Sequence, residues 1–195
     1  MNAAEHIVEA YFRMVRGCFT YADKKVPDGN NRQLDLLACN VVEGVQFHIE
    51  IGVTHRENWC PTLEELGPHF EKKFFGAPPE RAGANKGATD FEKGKSYFNQ
   101  IERAYAEVGF DPKRVSRIWI CWIVNGQANE RPITTHFRSN HLKKKFPIQI
   151  VSIRDVVLRD LEQAIGTSNY DDEVLRTLGF IKQRESQMRR ASQET

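Results

Sequence analysis

The sequence predicts a single α/β domain: a central mixed sheet of four or five strands, helices on both faces, and a C-terminal helical extension. Three observations predict it. An amphipathic helix is followed by three short strands joined by tight turns. A second amphipathic helix precedes a strongly apolar strand, and a further strand leads into the closing helices. The 195 residues suit one hydrophobic core, with about 1–166 as the core and about 167–195 as the extension. Hydrophobic residues are 40% and charged residues 28%, the balance of a globular chain rather than a disordered or fibrous one. The formal net charge is only +2, which excludes a uniformly basic nucleic-acid coat and leaves room for a local basic patch.

The first helix, 3–16, carries Ile7, Val8, Tyr11, Phe12 and Val15 at helical spacing and stops at Gly17. A strand over 18–22 runs into the turn formers KKVPDGNN. Strands over 34–42 and 45–53 are joined at Glu43-Gly44, giving an antiparallel meander. The segment 62–75 opens with TLEE, a capping pattern, and predicts a short helix; GAPPERAGANKGA reads as a loop. Helix 90–108 presents Phe91, Tyr97, Phe98, Ile101, Tyr105 and Val108 on one side, and Gly109 ends it. Strands over 117–124 and 148–153 flank a hairpin-like or loop segment, and helices are expected over 154–165 and 171–187.

Nothing in the chain reaches the roughly 18 to 20 apolar residues of a membrane span. The N-terminus lacks the basic and apolar regions of a signal peptide. Cys18, Cys39, Cys60 and Cys121 form no CxxC pair and read as small hydrophobes in a reducing compartment. The cytoplasm, with no membrane partner, is the expected location. There is no GxxxxGK[ST], GxGxxG or GxSxG pattern. His136 and His141 lack nearby cysteine ligands, so zinc is not expected.

The chemistry concentrates in the meander. In VQFHIEIGV, Phe47, Ile49, Ile51 and Val53 alternate with Gln46, His48, Glu50 and Gly52. Glu50 is costly to bury in so apolar a strand unless a cation meets it, and Asp35, flanked by Leu34, Leu36 and Leu37, repeats the anomaly. Pairing of the two strands brings Asp35 and Glu50 near each other on one face. Two facing carboxylates invite a hard divalent cation such as Mg²⁺ or Mn²⁺. The structural alternative pairs them with Arg32 or another surface cation, and a satisfied strand histidine is the ordinary reading of His48.

The helix AEHIVEAYF, then Gly17, QLDLLA with Asp35 and HIEIGVTHR with Glu50 together resemble the PD-(D/E)XK, or restriction endonuclease-like, nuclease superfamily. The later order of helix 90–108 and strands 118–124 and 148–153 is also similar to that core. The resemblance implies a restriction endonuclease-like fold and a magnesium- or manganese-dependent endonuclease hydrolysing phosphodiesters in DNA rather than RNA. It makes Asp35, Glu50 and the carbonyl of Ile51 the metal holders. Glu5 becomes the supporting helical acid, with Glu9 as its competitor.

One departure stands out: two residues after Glu50, where the superfamily has a lysine, this chain has Gly52. Three readings follow. The lysine has migrated, with Lys24, Lys25, Lys93 and Lys95 as candidates. His48 supplies a ligand or a proton-transfer group. Or the site is degenerate, and the fold binds nucleic acid or a protein partner, with a homodimer through the terminal helix as one form. Arg138, Lys143, Lys144 and Lys145, with His141, form the densest positive run and are candidates to track a phosphate backbone. Gln100 and Arg103 on the middle helix are further candidates; a solvated flank is the ordinary reading of both.

Overall fold

The computed structural model describes residues 2–29, 31–53, 60–77, 96–166 and 169–193. Helix α1 (Ala3–Met14) opens on a capping box in which Asn2 and Glu5 satisfy each other's backbone N–H groups, and Gly17 follows it at a φ of +60°, where a side chain would be strained. Strands β1 (Phe19–Lys25), β2 (Gln33–Asn40) and β3 (Val45–Ile51) form the expected antiparallel meander. The chain then crosses over through α2 (Gly67–Phe74) and α3 (Phe98–Glu107), so that β4 (Val115–Cys121) lies parallel to β3.

Next come β5 (Ile133–Arg138) and β6 (Lys145–Ser152), with β6 parallel to β4 and antiparallel to β5. A π-helical turn (Ile153–Val157) leads into α4 (Leu158–Ala164) and finally α5 (Glu173–Gln193). The sheet is mixed and open, in the order β1-β2-β3-β4-β6-β5. Its six strands exceed the expected four or five because 133–138, read as hairpin or loop, is an edge strand. Half-buried Ile133, Thr135 and Phe137 alternate there with exposed residues, a pattern too polar to stand out in sequence.

Helices cover both faces, as expected. On one, Val8, Tyr11 and Phe12 of α1 and Leu161 of α4 pack on Leu36, Phe47, Ile49, Ile118 and Ile120. On the other, Phe70 and Phe74 of α2 pack on Trp119, Ile148 and Ile150, while Ile101 and Tyr105 of α3 cover Leu34 and Leu37. Each such buried side chain contributes roughly 1.5–3 kcal/mol. The TLEE motif caps the turn before α2, where Thr62 N–H donates to Glu65 at 2.8 Å; α2 itself begins at Gly67, with Pro68 in its first turn. Of the expected helix 90–108, residues 90–95 lie outside the described residues and α3 supplies the rest. The last helix runs on past the expected end at residue 187, to Gln193. Among the described residues no helix is long and apolar enough to cross a membrane.

Candidate active site

The β2–β3 register pairs Leu36 with Ile49. Asp35 and Glu50 each stand one residue further toward the same end of the ladder, and the two-residue side-chain period puts both on the face covered by α2 and α3. Asp35 Oδ2 accepts the backbone N–H of Ile51 at 2.9 Å. The ammonium of Lys73, from α2, bridges the two acids, at 2.8 Å from Asp35 Oδ1 and 2.6 Å from Glu50 Oε2. Behind them, His48 Nε2 meets Glu50 Oε1 at 2.7 Å, and His48 Nδ1 meets the Tyr105 hydroxyl at 2.7 Å. His48 and Glu50 are fully buried, whereas the Lys73 side chain is 30% exposed and marks the open side of the cluster.

Local packing delivers Lys73. Phe70 and Phe74 anchor α2 in the aromatic cluster around Trp119, and Phe74 meets the His48 ring edge-on at 4.9 Å between centroids. Lys73, immediately before Phe74, is thereby held at the rim of this buried face. Arg32 secures the helix end: its guanidinium donates to the carbonyl of Lys72 in the last turn of α2 and to that of Ala77 just beyond it, and stacks 5.4 Å from the Tyr97 ring centroid.

The protonation states follow from burial and charge. Burial, reinforced by the Glu50 charge, lifts the Asp35 carboxyl to a pKa of about 6 despite Lys73. Burial also raises Glu50, with Lys73 opposing. Burial alone would lower Lys73, but the two carboxylates together hold its ammonium above lysine's ordinary value. His48 is pushed well below the usual histidine range, first by burial and then by the Arg117 charge. At neutral pH His48 is therefore uncharged. As the Nε2–H tautomer it donates to Glu50 and accepts the Tyr105 O–H at Nδ1, satisfying both contacts. His48→Ala would leave Glu50 Oε1 and the Tyr105 hydroxyl unpaired in a cavity. We expect a stability loss of about 3 kcal/mol, read from urea unfolding.

Gly52 has a steric reason. A Cβ built there would lie 2.1 Å from Trp119 Cζ2, and the indole is pinned by Phe70, Phe74 and His69. The position two residues after Glu50 is closed to a side chain, and the only ammonium touching Glu50 among the described residues comes from another element.

The chain matches no family model, no curated protein and no solved structure.

The structure brings Asp35, Glu50 and His48 together and joins Ile51 to them through its N–H. The other candidates stand elsewhere. Glu5 occupies the α1 capping box, on the helix that covers the opposite face of the sheet, and Glu9 accepts from Thr20 on β1 at 2.8 Å. Lys24 pairs with Glu107 at 2.6 Å, Lys25 is exposed at the end of β1, and Lys93 and Lys95 lie outside the described residues. Arg103 pairs with Asp28 at 3.0 Å, and the half-buried Gln100 leaves its Oε1 without a partner.

Arg138, Lys143, Lys144 and Lys145 are exposed around the β5–β6 turn, whose Ser139, Asn140 and His141 rest on Glu71 of α2. Ile150, not Lys145, is level with Trp119 and hence with Glu50. Five residues at about 3.3 Å each set the basic run roughly 16 Å back along the strand direction. Sequence reasoning missed Lys73, Tyr105 and the capping role of Arg32. The usable signal for Lys73 was FEKKFF, a lysine set directly against two phenylalanines on a helix.

Proposed function

We propose that this chain is a metal-dependent phosphodiesterase acting on DNA, with a PD-(D/E)XK-like site in which Lys73 takes the place of the lysine missing at position 52. The observation that carries the reading is the bridge from the Lys73 ammonium to both Asp35 and Glu50. The order of meander, crossover and parallel strand is consistent with a restriction endonuclease-like core. The donor set suits Mg²⁺ or Mn²⁺, because two hard carboxylate oxygens already converge on a single positive centre. Asp35 and Glu50 would hold the ion, which when bound would lower the pKa of a water and offset charge on the phosphate.

The chain's own residues do the rest. His48 and Tyr105 fix the orientation of Glu50 from behind. The Ile51 N–H fixes Asp35. Lys73, on a flexible and partly exposed stem, can leave the carboxylates and bring its charge to a phosphate oxygen. A nuclease-like domain that binds nucleic acid or a protein partner without turnover is the second reading. Two observations favour it: three of the four carboxylate oxygens already take part in hydrogen bonds within the chain and the fourth, Glu50 Oε2, is ion-paired with Lys73, and among the described residues no group of three or more His, Cys, Asp or Glu is arranged to hold a metal. Self-association in that reading would use α5, whose Phe180, Ile181 and Met188 are exposed.

Titrating Mn²⁺ into the wild type and into Asp35→Ala/Glu50→Ala, while following melting temperature and plasmid cleavage, separates the readings. Metal-induced stabilisation and cleavage, both lost in the double variant, are expected. Stabilisation through these carboxylates without cleavage would select the second reading, and neither response in the wild type would end the nuclease proposal.

The pH dependence is specific. The Asp35 pKa of about 6 is above its ordinary value, so between about pH 4 and 6 the folded state holds the proton more tightly than the unfolded one. The contribution of this group to stability therefore falls as pH rises through that window. Metal binding needs the carboxylate, so apparent Mn²⁺ affinity should fall about tenfold per pH unit below about pH 6 and level off above it. Calorimetric titration from pH 5 to 8 checks this.

A further inference from the structure

Arg117, on β4 and level with His48, is a further charged side chain on the sheet face under α2 and α3, beside Asp35 and Glu50. It is only 7% exposed. Its guanidinium packs against two adjoining rings, 5.4 Å from the Phe75 centroid and 5.0 Å from that of Phe146, whose centroids are 4.6 Å apart. Its Nε is buried with no hydrogen-bond partner, and no ion pair involves Arg117 among the described residues. Ring faces offset part of the cost of burying the charge but give its five N–H donors no acceptor.

Arg117 lines a half-open cleft of about 700 Å³. Lys113, Arg114 and Lys144 also line it, with Phe98 and Phe146 as apolar walls and Glu102 as its one acid among the described residues. Arg114 spends one N–H on the Gly44 carbonyl, at 3.0 Å. No residue of the Asp35–Glu50–Lys73 cluster lines the cleft. The positive charge exceeds what Glu102 can offset, and a planar guanidinium forks onto two oxygens of one phosphate.

We infer that this cleft binds a nucleotide unit, its phosphate on Arg117, Lys113 and Lys144 and its base against Phe98 and Phe146. The inference stands apart from the metal site. Two sources share the chemistry, a free mononucleotide and one unit of a nucleic-acid strand. Glu102 faces the same space and suits a sugar hydroxyl, which can donate to it.

The test is calorimetric titration of 5′-AMP, adenosine and the ten-nucleotide strand (dT)₁₀ into the full chain, in EDTA so that no divalent ion contributes. The first expectation is that 5′-AMP or (dT)₁₀ binds and that adenosine binds at least about tenfold more weakly than 5′-AMP, since the phosphate meets the charged groups. Lys113→Ala/Lys144→Ala alters only exposed side chains and should weaken binding by about tenfold. Arg117→Met, which keeps an apolar stem beside the rings, should weaken it further without lowering the melting temperature. Binding of (dT)₁₀ alone would assign the cleft to a strand, and binding of 5′-AMP alone to a free nucleotide. Failure of both to bind at millimolar concentration would overturn the inference. So would equal binding of adenosine and 5′-AMP, or wild-type affinity in Lys113→Ala/Lys144→Ala, the variant that decides should Arg117→Met not fold.

Discussion

Lys73→Met should lower Mn²⁺-dependent plasmid cleavage by roughly 10²–10⁴-fold, the range for losing one positioned charge or proton-transfer group. The side chain keeps an unbranched apolar stem, but the ammonium between Asp35 and Glu50 is gone. Without it Glu50, fully buried, keeps His48 and Asp35 as neighbours but no cation, and is pushed toward its protonated form. Removing one partner of a buried charge cluster costs about 3–5 kcal/mol; because Lys73 is partly exposed, about 2–4 kcal/mol is expected here. Lys73→Arg separates charge from geometry: it keeps the charge but spreads it over a planar fork, and should recover stability more fully than cleavage. A Lys73→Met protein that cleaves at the wild-type rate would remove the lysine from the mechanism.

Gly52→Lys is expected to destabilise the fold by about 3 kcal/mol and to restore no activity in a Lys73→Met background. The superfamily pattern alone would suggest the opposite. Within this fold, a Cβ at position 52 meets three carbons of the Trp119 indole, all closer than 3.0 Å. Phe70, Phe74 and His69 pack against that ring, and all three belong to the helix that carries Lys73. A substitution at 52 therefore strains the element that supplies the ammonium. Gly52→Ala should show the same clash on a smaller scale, and shortening the neighbour in Gly52→Ala/Trp119→Leu should relieve it. A double-mutant cycle from urea unfolding would read that coupling; strict additivity would show that Trp119 is not the obstacle.

The contrast between positions 52 and 73 shows which parts of the site a linear chain reveals. Asp35 and Glu50 were legible because an acid inside an apolar strand is an energetic anomaly, and because a short hairpin fixes its register locally. The meander and the helices on both faces were legible from hydrophobic period and turn residues, whereas the parallel pairing of β4 with β3 came only from the structure. Lys73 was not. It comes from an element 23 residues beyond Glu50, with a segment outside the described residues between them, and only the packing of Phe70 and Phe74 fixes its direction. Tyr105 was read correctly as a core residue, yet its hydroxyl's partner depends on where α3 docks over His48. The strand Ile133–Arg138 escaped notice because an edge strand buries little and its sequence is nearly polar. Gly52 looked like a missing lysine, and the ring that excludes a side chain there lies on a neighbouring strand 67 residues away.

The central claim is that Asp35, Glu50 and Lys73 form one cation-dependent unit, with the ammonium holding the carboxylates together until a metal ion takes its place. An anomalous difference map from a crystal soaked in Mn²⁺ tests this most directly. The account predicts a peak bonded to carboxylate oxygens of both Asp35 and Glu50, with the Lys73 ammonium moved from between them toward solvent. A map with no peak there, and with Lys73 still bridging the two acids, would contradict it.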